Sequence, residues 1–332
     1  MSAANVRPRI VRYDPMLPSA GLFRSVGNHA RPKLDVECEF NGVIWRLRGP
    51  DLLGVPEQTL LLVLMELASE QCRPGKASEP EVPELHEALR MSGFAAPLGE
   101  ASEPVANLAV LSVSYRELNR RCGRLDDGGA SATQIRKELE RLCEVTVWAK
   151  MPDGRQLSSR LLHWRRGDRQ GVEVVLNWRL TEILVGRQFS PVSLTERLQL
   201  SSDIARALHC VLSVRIRPGG AQSFHLETLA SYVWAEDAVA ASTVRRRRQL
   251  LRDALQEIDS LGGWLIREDE RSIDRFKPML VVRKGNAKQP REKPRSGPSG
   301  RTTSATVHAP LRPLQESTAK VDVVAFFRDE DE

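Results

Sequence analysis

Long apolar runs are missing from this 332-residue chain, and so are the short motifs by which many nucleotide- and metal-using enzymes are recognised. A membrane span needs about 18 or more consecutive apolar residues, and none is present. The N-terminus carries Arg7, Pro8, Arg9 and Arg12 without an apolar stretch, which is not the form of a signal peptide. A cytoplasmic protein is expected. Cysteine is scarce: Cys38, Cys72, Cys122, Cys143 and Cys210 are scattered, odd in number and without a Cys-x-x-Cys pair. That pattern argues against a disulfide framework and against a zinc site.

No Gly-x-x-x-x-Gly-Lys loop, His-Glu-x-x-His, Gly-x-Ser-x-Gly or Gly-x-Gly-x-x-Gly occurs. The six histidines are dispersed, and His209 and His225 read as packed or surface residues rather than as ligands or bases. Tyr13, Tyr115 and Tyr232 are the only tyrosines, none beside a histidine cluster, which weakens a relaxase or nuclease reading. Asp126-Asp127 before Gly128-Gly129 reads as a turn, not a magnesium site. The expectation is a protein that is not an enzyme, with no cofactor and no metal.

What the chain does have is arginine. Lys and Arg number 49 against 43 acids, for a formal net charge of +6. The guanidinium fork suits phosphates and guanine edges, so nucleic acid is the natural partner, provided the charge is concentrated in one place.

Periodicity organises the chain into two similar parts. Residues 1–32 mix Pro, Gly and Arg and read as an N-terminal arm or a docked extended segment. Alternation from Leu34 to Arg48, broken at Asn41-Gly42, predicts a hairpin. Pro56 opens a helix with Leu60, Leu61, Leu64, Met65 and Leu67 on one face, ending near Arg73-Pro74-Gly75. Residues 73–108 read as an inserted loop. A strand ending at Val113, a helix capped by Ser114 and a second helix capped by Ser131 or Thr133 follow. Then come strands through Val145–Ala149, through Leu161, Leu162 and Trp164, and from Val172 to Leu176.

The same order recurs after Pro191. A helix capped by Ser201 or Ser202, a short strand near Phe224, a helix from Glu227 to Val233, and a long helix capped by Ser242 succeed one another. Trp264–Ile266 and Met279–Val282 are the expected wing strands, with the charged stretch Arg267–Lys277 as the wing tip. The fold class is therefore α+β, with two tandem winged-helix domains and a disordered C-terminal tail. The first domain covers residues 33–188 with its insertion at about 73–108, the second, the main DNA-reading module, residues 189–284, and the tail residues 285–332. In the tail, Val321–Phe327 followed by Asp329–Glu332 reads as a frayed terminus or a peptide that folds onto a partner.

The most pointed motif is Ser242-Thr243-Val244-Arg245-Arg246-Arg247-Arg248-Gln249-Leu250-Leu251-Arg252. At helical spacing Val244, Leu251, Leu255 and Ile258 share the packing side, and Arg245, Arg246, Gln249 and Arg252 the other. Placed third in a helix-turn-helix order, such a helix enters the major groove. Base contact falls to Arg245, Arg246 and Gln249, and phosphate contact to Arg248 and Arg252. Thr243 lies at the helix start, and Arg247 leans towards the packed side. In the first domain Thr133, Arg136, Lys137 and Arg141 occupy equivalent outward positions, diluted by Glu138 and Glu140. DNA contact, solvated surface, dimer contact and phosphate positioning all remain open for that helix.

These residues resemble a family, the replication initiator protein C of IncQ-type broad-host-range plasmids, within the iteron-binding winged-helix initiators. The resemblance lies in Arg12-Tyr13-Asp14-Pro15, Gly21-Leu22-Phe23-Arg24, Lys33-Leu34-Asp35-Val36, Ser114-Tyr115-Arg116 and Asp127-Gly128-Gly129-Ala130. It continues in Ala205-Arg206-Ala207-Leu208-His209, Thr228-Leu229, Tyr232-Val233-Trp234 and Arg246-Arg247-Arg248-Gln249. It implies a plasmid replication initiator that binds directly repeated iterons in double-stranded origin DNA and promotes local opening. A replicative helicase and primase act beside such a protein, and self-association as a dimer is a further expectation. The residue pattern alone leaves a second possibility, a winged-helix transcriptional regulator that binds a promoter palindrome as a dimer.

Overall fold

Val11 and Tyr13, on a short strand, are buried, so the described residues 8–27 include core members and are docked rather than loose. The computed structural model describes residues 8–27, 30–71, 109–124, 129–167, 171–186, 188–235, 240–267 and 272–275. Strand β1 (Ile10–Tyr13) pairs antiparallel with β9 (Ser190–Ser193), Val11 opposite Val192, and helix α1 (Met16–Ala20) follows with Met16 and Leu17 buried. Gly21, at φ 70°, ends that helix in the left-handed region that only glycine enters without strain. Asp14 is fully buried and accepts two hydrogen bonds from Arg179, at 2.8 and 3.0 Å. Polar anchoring of this kind left little hydrophobic periodicity to read in the sequence.

The predicted hairpin forms as β2 (Leu34–Phe40) and β3 (Val43–Gly49), with Asn41 and Gly42 both at positive φ, as a tight two-residue turn requires. Helix α2 (Val55–Gln71) is buried along most of its length. Its Leu62 and Val63 are as fully buried as Leu60, Leu61 and Leu64, so it is buried on all sides rather than along one face. Beyond it lie β4 (Val110–Ser114), α3 (Tyr115–Arg121), α4 (Gly129–Glu144), β5 (Thr146–Lys150), β6 (Gln156–Arg160), β7 (Leu162–Arg166) and β8 (Gly171–Leu176). The expected return strand through Leu161 is in fact two. β6 pairs with β5, and at the buried Leu161 the chain crosses into another sheet as β7.

Helices α5 (Trp178–Val185) and α6 (Leu194–Gln199) were not anticipated. Side chains cap both: Asn177 accepts from the Leu180 amide and Ser193 from the Glu196 amide. The remaining elements are α7 (Asp203–Arg215, capped by Ser202), β10 (Ala221–Ser223), α8 (Leu226–Val233), α9 (Ala241–Asp259), β11 (Trp264–Arg267) and β12 (Ser272–Arg275). The return strand β12 precedes the expected Met279–Val282, which lies outside the described residues, as do the insertion at 73–108 and the tail.

The sheets are ordered β2-β3-β5-β6, β4-β8-β7, β10-β12-β11 and β1-β9. Two hydrophobic clusters result. One extends from Val11 through α2 to Leu194 and takes in Cys210; the other joins Leu200, Leu208, Leu212, Leu229, Leu251, Ile258 and Trp264. Between them sits Arg197, fully buried and donating to the Val55 and Arg206 carbonyls, Thr59 Oγ1 and Gln58 Oε1 at 2.6–3.3 Å.

In the second cluster His209 is completely buried, with Nε2 2.8 Å from Glu196 Oε2, which also accepts from the Trp264 indole at 3.1 Å. Burial lowers the His209 pKa from its usual 6.5, against the opposing pull of Glu196. The unfolded chain then binds the extra proton, so stability is complete above about pH 6.5 and falls as the pH drops through that value. Thermal unfolding at pH 5.5 and 7.5 is expected to show this loss, and His209→Gln to reduce it. An unchanged pH dependence in that variant would contradict the assignment.

Candidate nucleic-acid interface

Helix α9 exposes most of the arginine motif. Its cap residue is Ala240, in extended conformation, whose carbonyl accepts the first helical bond from Val244; Ser242 therefore lies inside the first turn and does not cap the helix. Leu251, Ala254, Leu255 and Ile258 are buried, whereas Val244, expected among them, is half-buried. The inner face thus begins two turns into the helix. The first two turns expose most of their side chains, with Val244 and Arg247 half-buried.

Along the first three turns Thr243, Arg245, Arg246, Arg248 and Gln249 are exposed, and Arg247 and Arg252 half-buried. Among the described residues Arg245 and Arg246 have no ion-pair partner, which leaves both guanidiniums available to an external anion or base edge. Arg248 pairs with Glu227 of α8 at 2.7 Å, an exposed bridge of small energetic weight that a phosphate can displace. Gln249 donates to Asp253 one turn on, at 2.8 Å, and Arg247 lies 4.9 Å above the Trp234 ring.

Arg248 and Arg252 also line a cleft of about 510 Å³ between α8, α9, β11 and β12, with Phe224, Leu229, Ile266 and Arg267 among its walls. Arg252 therefore faces the molecule's own groove as much as solvent. Arg267, at the root of the expected wing tip, pairs with Asp274 of β12 at 2.6 Å.

The corresponding helix of the first half differs. Helix α4 starts at Gly129, ahead of both candidate caps; Thr133 donates to the Gly129 carbonyl at 2.9 Å and caps nothing. Thr133, Arg136 and Lys137 are exposed, the Arg136 guanidinium 5.8 Å from the Tyr115 ring centre. Arg141 does not point outward. It turns to the fully buried Glu57 at 2.8 Å and to Asp51 at 3.4 Å, because a buried carboxylate requires a cation. Glu138 is likewise no surface diluent: it is buried, receives Arg124 at 2.7 Å, and its pKa is raised by desolvation despite Arg124 and Gln134. The outward charge of α4 is thereby reduced to Arg136 and Lys137 against Glu140 and Glu144.

Sequence patterning gave no hint of the contacts that position α9. Trp234 under Arg247, and Arg24 on the end of α8, join residues that nothing in spacing or composition connects. Among the described residues no group of three or more His, Cys, Asp or Glu could hold a metal ion, and no helix is long and apolar enough to cross a membrane.

Residues 8–276 match the family described as Replication protein C (RepC). The chain belongs to the RepC family. Membership makes it a replication initiator with DNA as its partner, and the matched span covers α9, β11 and β12 as well as β1. No curated protein matches the sequence. Two crystal structures of domains 2 and 3 of RctB are similar to it, each at 13% identity. One aligns over 76% of this chain and 94% of its own with a TM-score of 0.45, the other over 78% and 94% with 0.43.

Proposed function

We propose that this RepC protein starts replication of an IncQ-type plasmid by binding directly repeated iterons with two winged-helix modules. The observation that carries the reading is the α9 ridge, where Arg245 and Arg246 are exposed and unpaired among the described residues on the first turns of an amphipathic helix. Its setting supports a winged helix: α7, β10, α8, α9, β11 and β12 follow in that order, with sheet order first strand, third, second. The first half repeats the scheme as α2, β4, α3, α4, β7 and β8, again with the third strand in the middle, and the β5–β6 hairpin is inserted after α4. In this reading Thr243, Arg245, Arg246 and Gln249 meet bases, while Arg248, Arg252, Arg136, Lys137 and Thr133 meet phosphates or flank them.

The mechanism is non-enzymatic. Phosphate contacts from both modules bend each repeat, at a deformation cost of a few kcal/mol. Neighbouring bound copies accumulate that strain and release it into an adjacent AT-rich segment, where helicase and primase are loaded. A DNase footprint of the purified protein without ATP, across fragments of its own replicon, is expected to protect phased direct repeats. Protection of a lone promoter palindrome would make it a regulator instead. Permanganate reactivity tests the opening step: thymines beside saturated repeats become reactive, and their continued protection would remove that step.

A further inference from the structure

The segment Phe23–Ser25 bridges the two hydrophobic clusters by consecutive backbone bonds. Phe23, itself buried, forms a parallel bridge with Leu53, and the Arg24 amide donates to the Leu53 carbonyl at 2.9 Å, both on the side of α2. The next amide, of Ser25, donates to the Val233 carbonyl at 2.8 Å, at the end of α8. Extended backbone sends successive amides in opposite directions, so this strap holds one body with each hand. The Arg24 side chain adds to the second grip: Nη1 donates to the Ser231 and Tyr232 carbonyls at 2.8 and 2.7 Å. Those carbonyls belong to the last turn of α8, which lacks partners within the helix and carries the negative end of its dipole. A Cβ at Gly21 would collide with this guanidinium, so the glycine that ends α1 also makes room for the contact.

The same turn of α8 is where α9 is set. Tyr232 lies under Arg215 of α7 at 5.1 Å, and the following Trp234 lies under Arg247 of α9 at 4.9 Å. Arginines from the strap, from α7 and from the arginine helix thus converge on one turn.

We infer that the strap fixes the spacing between the two DNA-reading heads, with Arg24 as its positioning residue. This rests on the two-module reading above. Arg24 touches no DNA; it holds α8, which holds α9 through Trp234, at a set position relative to α2 and the first half. A chain so fastened measures DNA. Inserting one base pair between the two contacted segments turns one by about 34° relative to the other, since a helical turn takes about 10–10.5 base pairs.

The test uses the full-length chain and a duplex recovered by it from a random-sequence library. Affinity is measured for that duplex and for versions with one base pair added or removed at its centre. The native chain is expected to lose at least about tenfold on either change. Arg24→Ala is expected to bind the recovered duplex about fivefold more weakly while its spacing penalty shrinks to about threefold or less, and Arg24→Lys, which can still cap the carbonyls, to restore part of both. Ser25→Pro removes the backbone donor to Val233 and must flatten the spacing profile in the same way. Weaker binding with an unchanged spacing penalty in folded variants would overturn the inference and leave the strap a purely structural tie. Failure to recover any sequence would overturn the two-module reading itself.

Discussion

An Arg246→Ala chain is expected to bind its specific site about 5- to 150-fold more weakly than the native chain, a loss of about 1–3 kcal/mol. The magnitude is that of one bidentate contact to a guanine edge in the major groove. Arg246 is exposed on the second turn of α9 and has no ion-pair partner among the described residues, so its removal leaves nothing buried and unpaired in the free protein. The loss should therefore appear in binding and not in stability. It should also concentrate at one base position, with binding to random duplexes changed far less. Arg252→Ala gives the contrast: half-buried and partnered within the molecule, Arg252 is expected to weaken all sequences alike, and modestly. Anisotropy titrations at one fixed salt concentration, on the specific site and on a scrambled duplex, separate the two. Equal losses for both variants on both duplexes would refute the assignment.

Asp14→Ala is expected to cost about 3 kcal/mol of folding stability, because it leaves the buried Arg179 guanidinium only the exposed Glu182, 3.5 Å away, as a counter-charge. The Asp14 carboxylate also accepts from the Met16 amide at 3.0 Å, so the start of α1 loses its anchor too. The double variant Asp14→Ala, Arg179→Met should recover much of the loss, since an apolar replacement for both partners carries no stranded charge. Denaturant midpoints for the three chains decide it. An Asp14→Ala midpoint equal to that of the native chain would mean that the N-terminal segment is dispensable to the fold.

The arm shows what sequence reasoning can and cannot see. Apolar alternation located the β2–β3 hairpin, and Asn41-Gly42 set its turn, because there the local pattern and the tertiary structure ask for the same residues. The arginine helix was legible for the same reason: its packing stripe, at Leu251, Leu255 and Ile258, is strictly helical. By contrast β1 is four residues long, and its partner β9 lies about 180 positions away, a pairing that no local pattern encodes. Arg197 and Glu57, polar residues buried in the core, read as surface until their partners are known. Strand β12 has the sequence Ser-Ile-Asp-Arg, with Ile273 and Arg275 its buried members, so the more apolar Met279–Val282 drew the prediction away from it. In the candidate interface the pattern identified which side chains α9 turns outward. It missed Arg141 because outward position on a helix says nothing about a neighbouring helix that brings Glu57 to meet it.

The claim on which the rest depends is that one chain contacts DNA through two heads. Hydroxyl-radical cleavage of a single bound repeat tests it most directly. Two protected clusters on one face of the duplex, about 10–10.5 base pairs apart, are predicted, the stronger one shifting or fading in the Arg246→Ala chain. A single protected cluster, unchanged by that substitution, would contradict the account.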